Sequence, residues 1–384
     1  MNKGTLQHLI QYRHELHQHP EISGEEKLTS RRVAKWIERY EPDEIISELG
    51  GHGLAAIFHG RHQGQKVLFR AELDALPLKE TNSFGHRSKT PQTAHLCGHD
   101  GHMVFLLGLA ENLHLNPPEK GTTVLLFQPA EETGTGAEKV LKDPGFSIIQ
   151  PDYVFAIHNL PGFDLHQVIL SNQHFAAAST GMIIRLQGRT SHAAEPEKGR
   201  SPAMAVANII QRLQELPSKL QNLQGFALLT VIHVKVGEVA FGTTPGEAFV
   251  MATLRAFEDD DLKNLSREAE NLVAFISQRE GLEFEITYTE SFPATVNDAD
   301  AATFIQNAAG KLNLDLYNIE EPFKWAEDFG HFTSQFRGAL IGLGSGKKHP
   351  ALHNPNYDFP DDLIPTGVGL FRKIFDEINS KKCQ

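Results

Sequence analysis

The sequence predicts an α/β protein: a mixed, mostly parallel sheet with helices on both faces, carrying an inserted ferredoxin-like α+β domain. Three observations predict it. Short apolar runs recur at Val67-Leu68-Phe69, Val124-Leu125-Leu126-Phe127 and Tyr153-Val154-Phe155-Ala156-Ile157, with segments of helical periodicity between the later ones. Uninterrupted apolar strands of this kind belong to sheets buried on both faces, with crossover helices between them. Between about residues 175 and 290 the order becomes βαββαβ, the split ferredoxin-like unit. The apolar run Ala339-Leu340-Ile341-Gly342-Leu343 then returns to the first pattern.

Taken in order, residues 5–19 and 25–40 read as helices, the second amphipathic through Leu28, Val33, Trp36 and Ile37. Residues 54–58 and 66–70 read as strands, and 102–115 as a helix with apolar Val104, Leu106, Leu107 and Leu109. Strand 122–127, helix 136–142 and strand 153–157 complete the first half, the last running into His158-Asn159. The inserted segment reads as strand 181–186, helix 202–216, strands 226–236 and 247–256, helix 259–280 and strand 282–288. The acidic start of helix 259–280 suits the helix dipole. A helix near 299–312, strand 339–343 and a terminal helix from about 364 finish the sheet. The expected domains are 1–174 with 292–384, and 175–291.

A chain of 384 residues with 40% hydrophobic content is long enough for two cores. Its net charge of −12, with no basic stripe to offset it, argues against a nucleic-acid partner. No apolar run approaches the ~18 residues that span a bilayer. The start, Met1-Asn2-Lys3-Gly4-Thr5-Leu6-Gln7-His8, lacks the apolar core of a signal peptide. Cys97 and Cys383 are the two cysteines, so a disulfide scaffold is not expected and a reducing cytoplasm fits best. Cys383, next to last, reads as an inert tail thiol.

The polar groups cluster at strand ends. Cys97-Gly98-His99-Asp100-Gly101-His102 precedes a helix, Glu131-Glu132 follows strand 122–127, and His158 follows strand 153–157. In open α/β sheets that edge is where ligands bind. Thiolate, imidazole and carboxylate together make the ligand set of a transition-metal hydrolase. Two carboxylates in a crevice need a cationic partner. If a metal takes one of them, the other is left to accept a proton from water. His349-Pro350-Ala351-Leu352-His353 adds two histidines in a proline-containing loop, and His102 is expected to begin its helix rather than bind metal.

The chain resembles the co-catalytic metallohydrolase family of aminoacylases and metal-dependent exopeptidases, closest to its amidohydrolase branch of hippurate, N-acyl-amino-acid and indoleacetyl-amino-acid hydrolases. The resemblance rests on His14-Glu15-Leu16-His17-Gln18-His19-Pro20-Glu21, Arg70-Ala71-Glu72-Leu73-Asp74-Ala75-Leu76-Pro77, the segment from Cys97 to His102, Gln128-Pro129-Ala130-Glu131-Glu132, Ser191-His192-Ala193-Ala194, Ala326-Glu327-Asp328-Phe329 and Leu352-His353-Asn354, in the family's order. It implies Cys97, His99, Glu132, His158 and His353 as ligands of two divalent metal ions, zinc or manganese foremost, with cobalt or nickel also admitted. It implies Glu131 as general base and proton shuttle, and Asp74 as a carboxylate orienting a ligand imidazole. The inserted domain matches a lid and homodimerisation domain. On it, His192 matches a histidine that stabilises the oxyanion, usually in the neighbouring subunit's site, and Arg255 matches an arginine that binds the substrate carboxylate. The implied activity is hydrolysis of a small-molecule N-acyl amino acid to a carboxylic acid and a free amino acid; the alternatives are a metallo-dipeptidase or carboxypeptidase, or a non-catalytic metal-dependent binding protein. Two positions depart from the family: Glu72 stands where Asp is common, and Gly242-Thr243-Thr244-Pro245 replaces Asn-Val-Ile-Pro, removing a substrate-contacting Asn.

Overall fold

The computed structural model describes residues 1–221 and 223–380, so Cys383 lies outside the described residues. The chain begins α1 (Lys3–Gln18), α2 (Lys27–Ile37), β1 (Glu44–Leu49), β2 (Gly53–His59), β3 (His62–Glu72), α3 (His99–Leu115) and β4 (Lys120–Gln128). It continues through α4 (Gly136–Lys142), α5 (Phe146–Ile149), β5 (Tyr153–Leu160), β6 (Val168–Leu170) and β7 (His174–Ala176). Then come β8 (Ala178–Gln187), α6 (Ala203–Lys219), β9 (Ala227–Val236), β10 (Glu247–Ala256), α7 (Asp259–Arg279) and β11 (Glu283–Phe292). The closing elements are β12 (Thr295–Val296), α8 (Ala299–Lys311), β13 (Leu316–Asn318), α9 (Gly330–Thr333), β14 (Arg337–Gly344) and α10 (Ile364–Ser380). Two compact units result. The first holds Met1–Phe175, Thr295–Glu321 and the chain from Glu327 onward; the second holds Ala176–Ala294 and the short return Pro322–Ala326.

The first unit is built on an eight-stranded sheet of order β1-β2-β4-β3-β5-β14-β6-β13. Its middle four strands are parallel: Leu68 lies opposite Val124 and Val154, and Ala339 opposite Phe155. The outer strands make the sheet mixed, since β1 and β2 pair antiparallel, as do β2 and β4, and β14 and β6. Nothing in the apolar pattern marks β1, where only Leu49 is buried; an edge strand covered on one side tolerates polar residues. One face of the sheet, through Phe69, Leu125, Phe127, Phe155 and Ile341, packs into a single core with residues of α1, α2, α3, α8 and α10. The alternate positions Leu68, Leu126, Val154 and Leu340 are buried too, and α4 and α9 pack beside β4 and β14.

Helix α3 is buried at every residue from His99 to Ala110, and a helix without a polar face belongs in a core. It begins at His99, three residues before the expected His102. Gly98 allows this: its φ is +94° and a Cβ there would stand 2.5 Å from Asn159 Oδ1. Its carbonyl accepts the N–H groups of Gly101 and His102 at 2.9 and 3.2 Å. Similarly, His158 lies inside β5 rather than past its end.

The second unit is an antiparallel sheet of order β11-β8-β10-β9. Every second residue of β10 is buried, packed with Val206, Ile209 and Leu213 of α6 and Leu265 and Val273 of α7. Its order is the expected βαββαβ. Strand β9 is an edge, with Ile232 and Val234 exposed. Among the described residues no helix is long and apolar enough to cross a membrane.

Candidate metal centre

Four adjacent parallel strands deliver the site from one edge of the first sheet. Asp74 follows β3, Glu131 and Glu132 follow β4, His158 sits near the end of β5, and the loop after β14 carries His353. The loop between β3 and α3 contributes Cys97, and His99 opens α3. The turn after β4 is tight. Ala130 has φ +51°, and Gly136 is required because a Cβ there would strike the Pro129 carbonyl. His353 has φ +66°, and its N–H donates to Leu96 O at 2.8 Å, drawing this late loop against the segment before Cys97.

The donor atoms converge. Cys97 Sγ is 3.5 Å from His158 Nε2, Glu132 Oε1 is 3.8 Å from His353 Nε2, and His99 Nε2 is 3.9 Å from both Glu131 Oε2 and Glu132 Oε1. Donors held at ~2.0–2.3 Å around a tetrahedral ion stand roughly 3.3–3.8 Å apart, so these separations suit a shared cation. Two trios overlap on one thiol: Cys97, His99 and His158, and Cys97, Glu132 and His353.

Ring orientation fits the same use. His99 Nδ1 lies 2.8 Å from the Asp74 carbonyl and His158 Nδ1 lies 2.9 Å from the Asn159 carbonyl. A carbonyl only accepts, so each Nδ1 carries a proton and each Nε2 is the nitrogen turned towards the site, the arrangement metal-binding imidazoles take. His99 Nε2 and Glu132 Oε1 are buried with no hydrogen-bond partner, a costly state that a bound cation relieves. His102 differs: its nitrogens meet Glu72 Oε2 at 2.6 Å and Asn159 Oδ1 at 2.5 Å. It supports the site from behind.

The electrostatics ask for positive charge. Burial, reinforced by Glu327, Glu132 and Asp328, pushes the Glu131 carboxyl well above the usual range. Burial raises Glu132 to about 7 against the opposing pull of His99. The Cys97 thiol is pushed up by burial and by Glu132, and burial lowers His158 to about 3. Like charges brought together out of water are held apart in this way by protons, unless a cation takes their place.

Asp74 faces the His99 ring with both its carbonyl and its carboxylate. The His99 ring proton goes to its backbone carbonyl, and its carboxylate oxygen is 3.6 Å from His99 Nδ1. The carboxylate accepts Ser23 Oγ–H at 2.7 Å and Glu132 N–H at 2.9 Å. Burial raises Asp74, but these bonds and His99 leave it below its ordinary value. Glu26, Arg70, Gln128, Glu327 and Asp328 support the site; all but Glu26 stand in the motifs that carry the family resemblance, yet none was given a role from the sequence. The available signal was Arg70 itself, a charge at the end of an apolar strand, which is buried and paired with Glu72, Glu327 and Asp328.

His192 and Arg255 lie in the second unit. His192 is exposed; its backbone bridges to Thr243, and its Nδ1 accepts Ala194 N–H at 3.1 Å. Arg255, half-buried, donates to Lys324 O at 3.0 Å, and burial lowers its guanidinium from the ordinary value.

Residues 68–377 match the model of peptidase family M20/M25/M40. The chain is 30% identical over 366 residues to a hippurate hydrolase of Campylobacter jejuni, covering 94% of each chain. The structure of a dinuclear metal binding peptidase of the M20 family from Bacillus subtilis superposes with a TM-score of 0.84 at 24% identity, covering 99% of this chain and 100% of that one. An aminobenzoyl-glutamate utilization protein from Klebsiella pneumoniae gives a TM-score of 0.73 at 18% identity, with 97% and 96% coverage.

Proposed function

The chain belongs to peptidase family M20/M25/M40 and is a hydrolase, and from that premise we propose that it cleaves the amide bond of N-acyl amino acids at a two-metal centre. The observation that carries this reading is the position of Glu131. The two ligand trios form without it, yet its buried carboxylate stands 3.9 Å from His99 Nε2.

In this reading Cys97, His99, Glu132, His158 and His353 hold two divalent ions, and the thiolate favours zinc. The ions, when bound, polarise the amide carbonyl and lower the pKa of water towards neutrality. Glu131 Oε2 accepts the proton of the attacking water and passes it to the amide nitrogen, which leaves as a neutral amine. Asp74 keeps Glu132 in place through its backbone. In the second unit, His192 accepts at Nδ1, which leaves the proton of a neutral ring on Nε2, where it can be donated to a developing oxyanion. Arg255, desolvated and bonded to a carbonyl, suits a substrate carboxylate. The family resemblance implies that the second unit is the surface of a homodimer, a role supported by the exposed apolar residues Ile232 and Val234 along the β9 edge.

The name of the Campylobacter relative supports an N-acyl amino acid as substrate. A panel of N-benzoyl and N-acetyl amino acids and free dipeptides, each assayed with added divalent metal and with chelator, tests the reading. Release of free amino acid from the acylated substrates, lost with chelator, is expected. Cleavage of the dipeptides with the acylated substrates left intact would refute it in favour of a dipeptidase.

A further inference from the structure

Three buried carboxylates hold the turn bearing Glu131 and Glu132 by its backbone. Glu26 Oε1 accepts Ala130 N–H at 2.8 Å, Asp74 Oδ2 accepts Glu132 N–H at 2.9 Å, and Asp328 Oδ2 accepts Ala137 N–H at 2.8 Å. Asp328 also works in the other direction, its own N–H reaching Glu131 Oε1 at 3.4 Å. One residue thus touches both the downstream end of the turn and the side chain that the turn presents.

Asp328 is itself fixed from β3 and β4. Gln128 Nε2 donates to its two oxygens at 3.0 and 2.8 Å, and Arg70 Nη2 to Oδ1 at 2.5 Å. Arg70 Nε in turn donates to Gln128 Oε1 at 2.9 Å. Asp328 and Gln128 are fully enclosed. The turn they hold needs restraint, because Ala130 sits in the left-handed region that alanine seldom adopts.

We propose that Asp328 is a positioning residue that sets the place of the Glu131 carboxylate for amide hydrolysis, touching neither substrate nor ion. The proposal rests on the function proposed above for Glu131. The side-chain partners of Asp328 are all donors: Arg70 Nη2, Gln128 Nε2 and Ala137 N–H. An asparagine must therefore turn its own NH2 towards one of them, and the turn shifts while volume and packing are kept.

Backbone amide exchange in Asp328→Asn tests this without any substrate. Exchange across residues 130–137 is expected to quicken by about tenfold or more, with α3 unchanged. Unchanged exchange, or loosening throughout the first unit, overturns the proposal. If Asp328→Asn does not fold, Gln128→Met replaces it: a smaller quickening confined to 130–137 supports the proposal, and none or a uniform one overturns it. In turnover, Asp328→Asn is expected to lower kcat by about thirtyfold with KM within about threefold and metal content unchanged. Added to Glu131→Gln, it is expected to change the residual rate by less than about twofold, since the two act as a unit; equal losses in both backgrounds overturn the proposal. A wild-type protein inert towards every N-acyl amino acid would sink the functional reading instead, and the exchange experiment would still decide the role of Asp328.

Discussion

In the first unit the groups around the candidate metal centre are held by second buried groups, whereas in the second unit the exposed His192 and the half-buried Arg255 are each held through a side-chain hydrogen bond to the backbone. His99 and His158 are locked by backbone carbonyls, and the Glu132 backbone by Asp74. His192 has the Ala194 N–H, and Arg255 the Lys324 carbonyl. The difference separates two tasks. Over-determined, desolvated groups suit a centre that tolerates little misplacement; loosely held groups suit contacts completed only when substrate binds, as proposed for the oxyanion and the substrate carboxylate. Gly242, whose carbonyl accepts Ala193 N–H at 3.0 Å beside His192, places the departure from the family's Asn among these loosely held groups.

Substitutions on the two sides should separate these tasks. The largest effect is expected for Glu131→Gln, which removes the proton carrier and keeps the ligand set: kcat falls about 10³-fold or more while metal analysis finds the wild-type content. Near-normal turnover would dissolve the distinction between ligand and base. Next comes His192→Ala, for which a loss of about 10²-fold in kcat is expected with metal binding untouched; metal loss in this variant would show that the second unit helps to build the centre. Arg255→Met should raise KM about tenfold for substrates with a free carboxylate and leave their amides unaffected. An equal rise for both would remove its assignment to the carboxylate.

The smallest effect belongs to the scaffold of the first unit. Burial lowers His17, but its bonds to Asp100 and Glu80 outweigh this and push it up to about 9. With a folded value above the unfolded ~6.5, His17 contributes stability that is complete below pH 6.5 and lost as pH rises through 9. Thermal unfolding should show wild-type Tm falling by about 3–6 °C more than that of His17→Gln over this window. Parallel curves would mean that His17 is neutral in the folded protein.

Much of this was legible from residues adjacent in sequence. Cys97 and His99 flank a glycine, Glu131 and Glu132 end an apolar strand, and parallel strands place their ends on one edge, so the fold class and the cluster of polar strand ends followed from local pattern, while the full ligand set was what the family resemblance implied. The supports did not. Glu26 reaches Ala130 and Asp328 reaches Ala137 across long stretches of chain, and periodicity carries no information about such pairs. Short edge strands such as β13, with two of its three residues exposed, leave no apolar signature. Asp74 was expected to steer an imidazole with its carboxylate; its backbone carbonyl takes the ring proton while the carboxylate stands 3.6 Å from the same nitrogen, a division of labour that side-chain identity does not encode.

The central claim is that the first unit holds a two-metal hydrolytic centre. Titrating metal-free protein with zinc or manganese, while following release of amino acid from the best N-acyl substrate, tests it most directly. The account predicts no release without metal and a rate that saturates at two ions per chain. Saturation at one ion, or full activity in the presence of chelator, would contradict it.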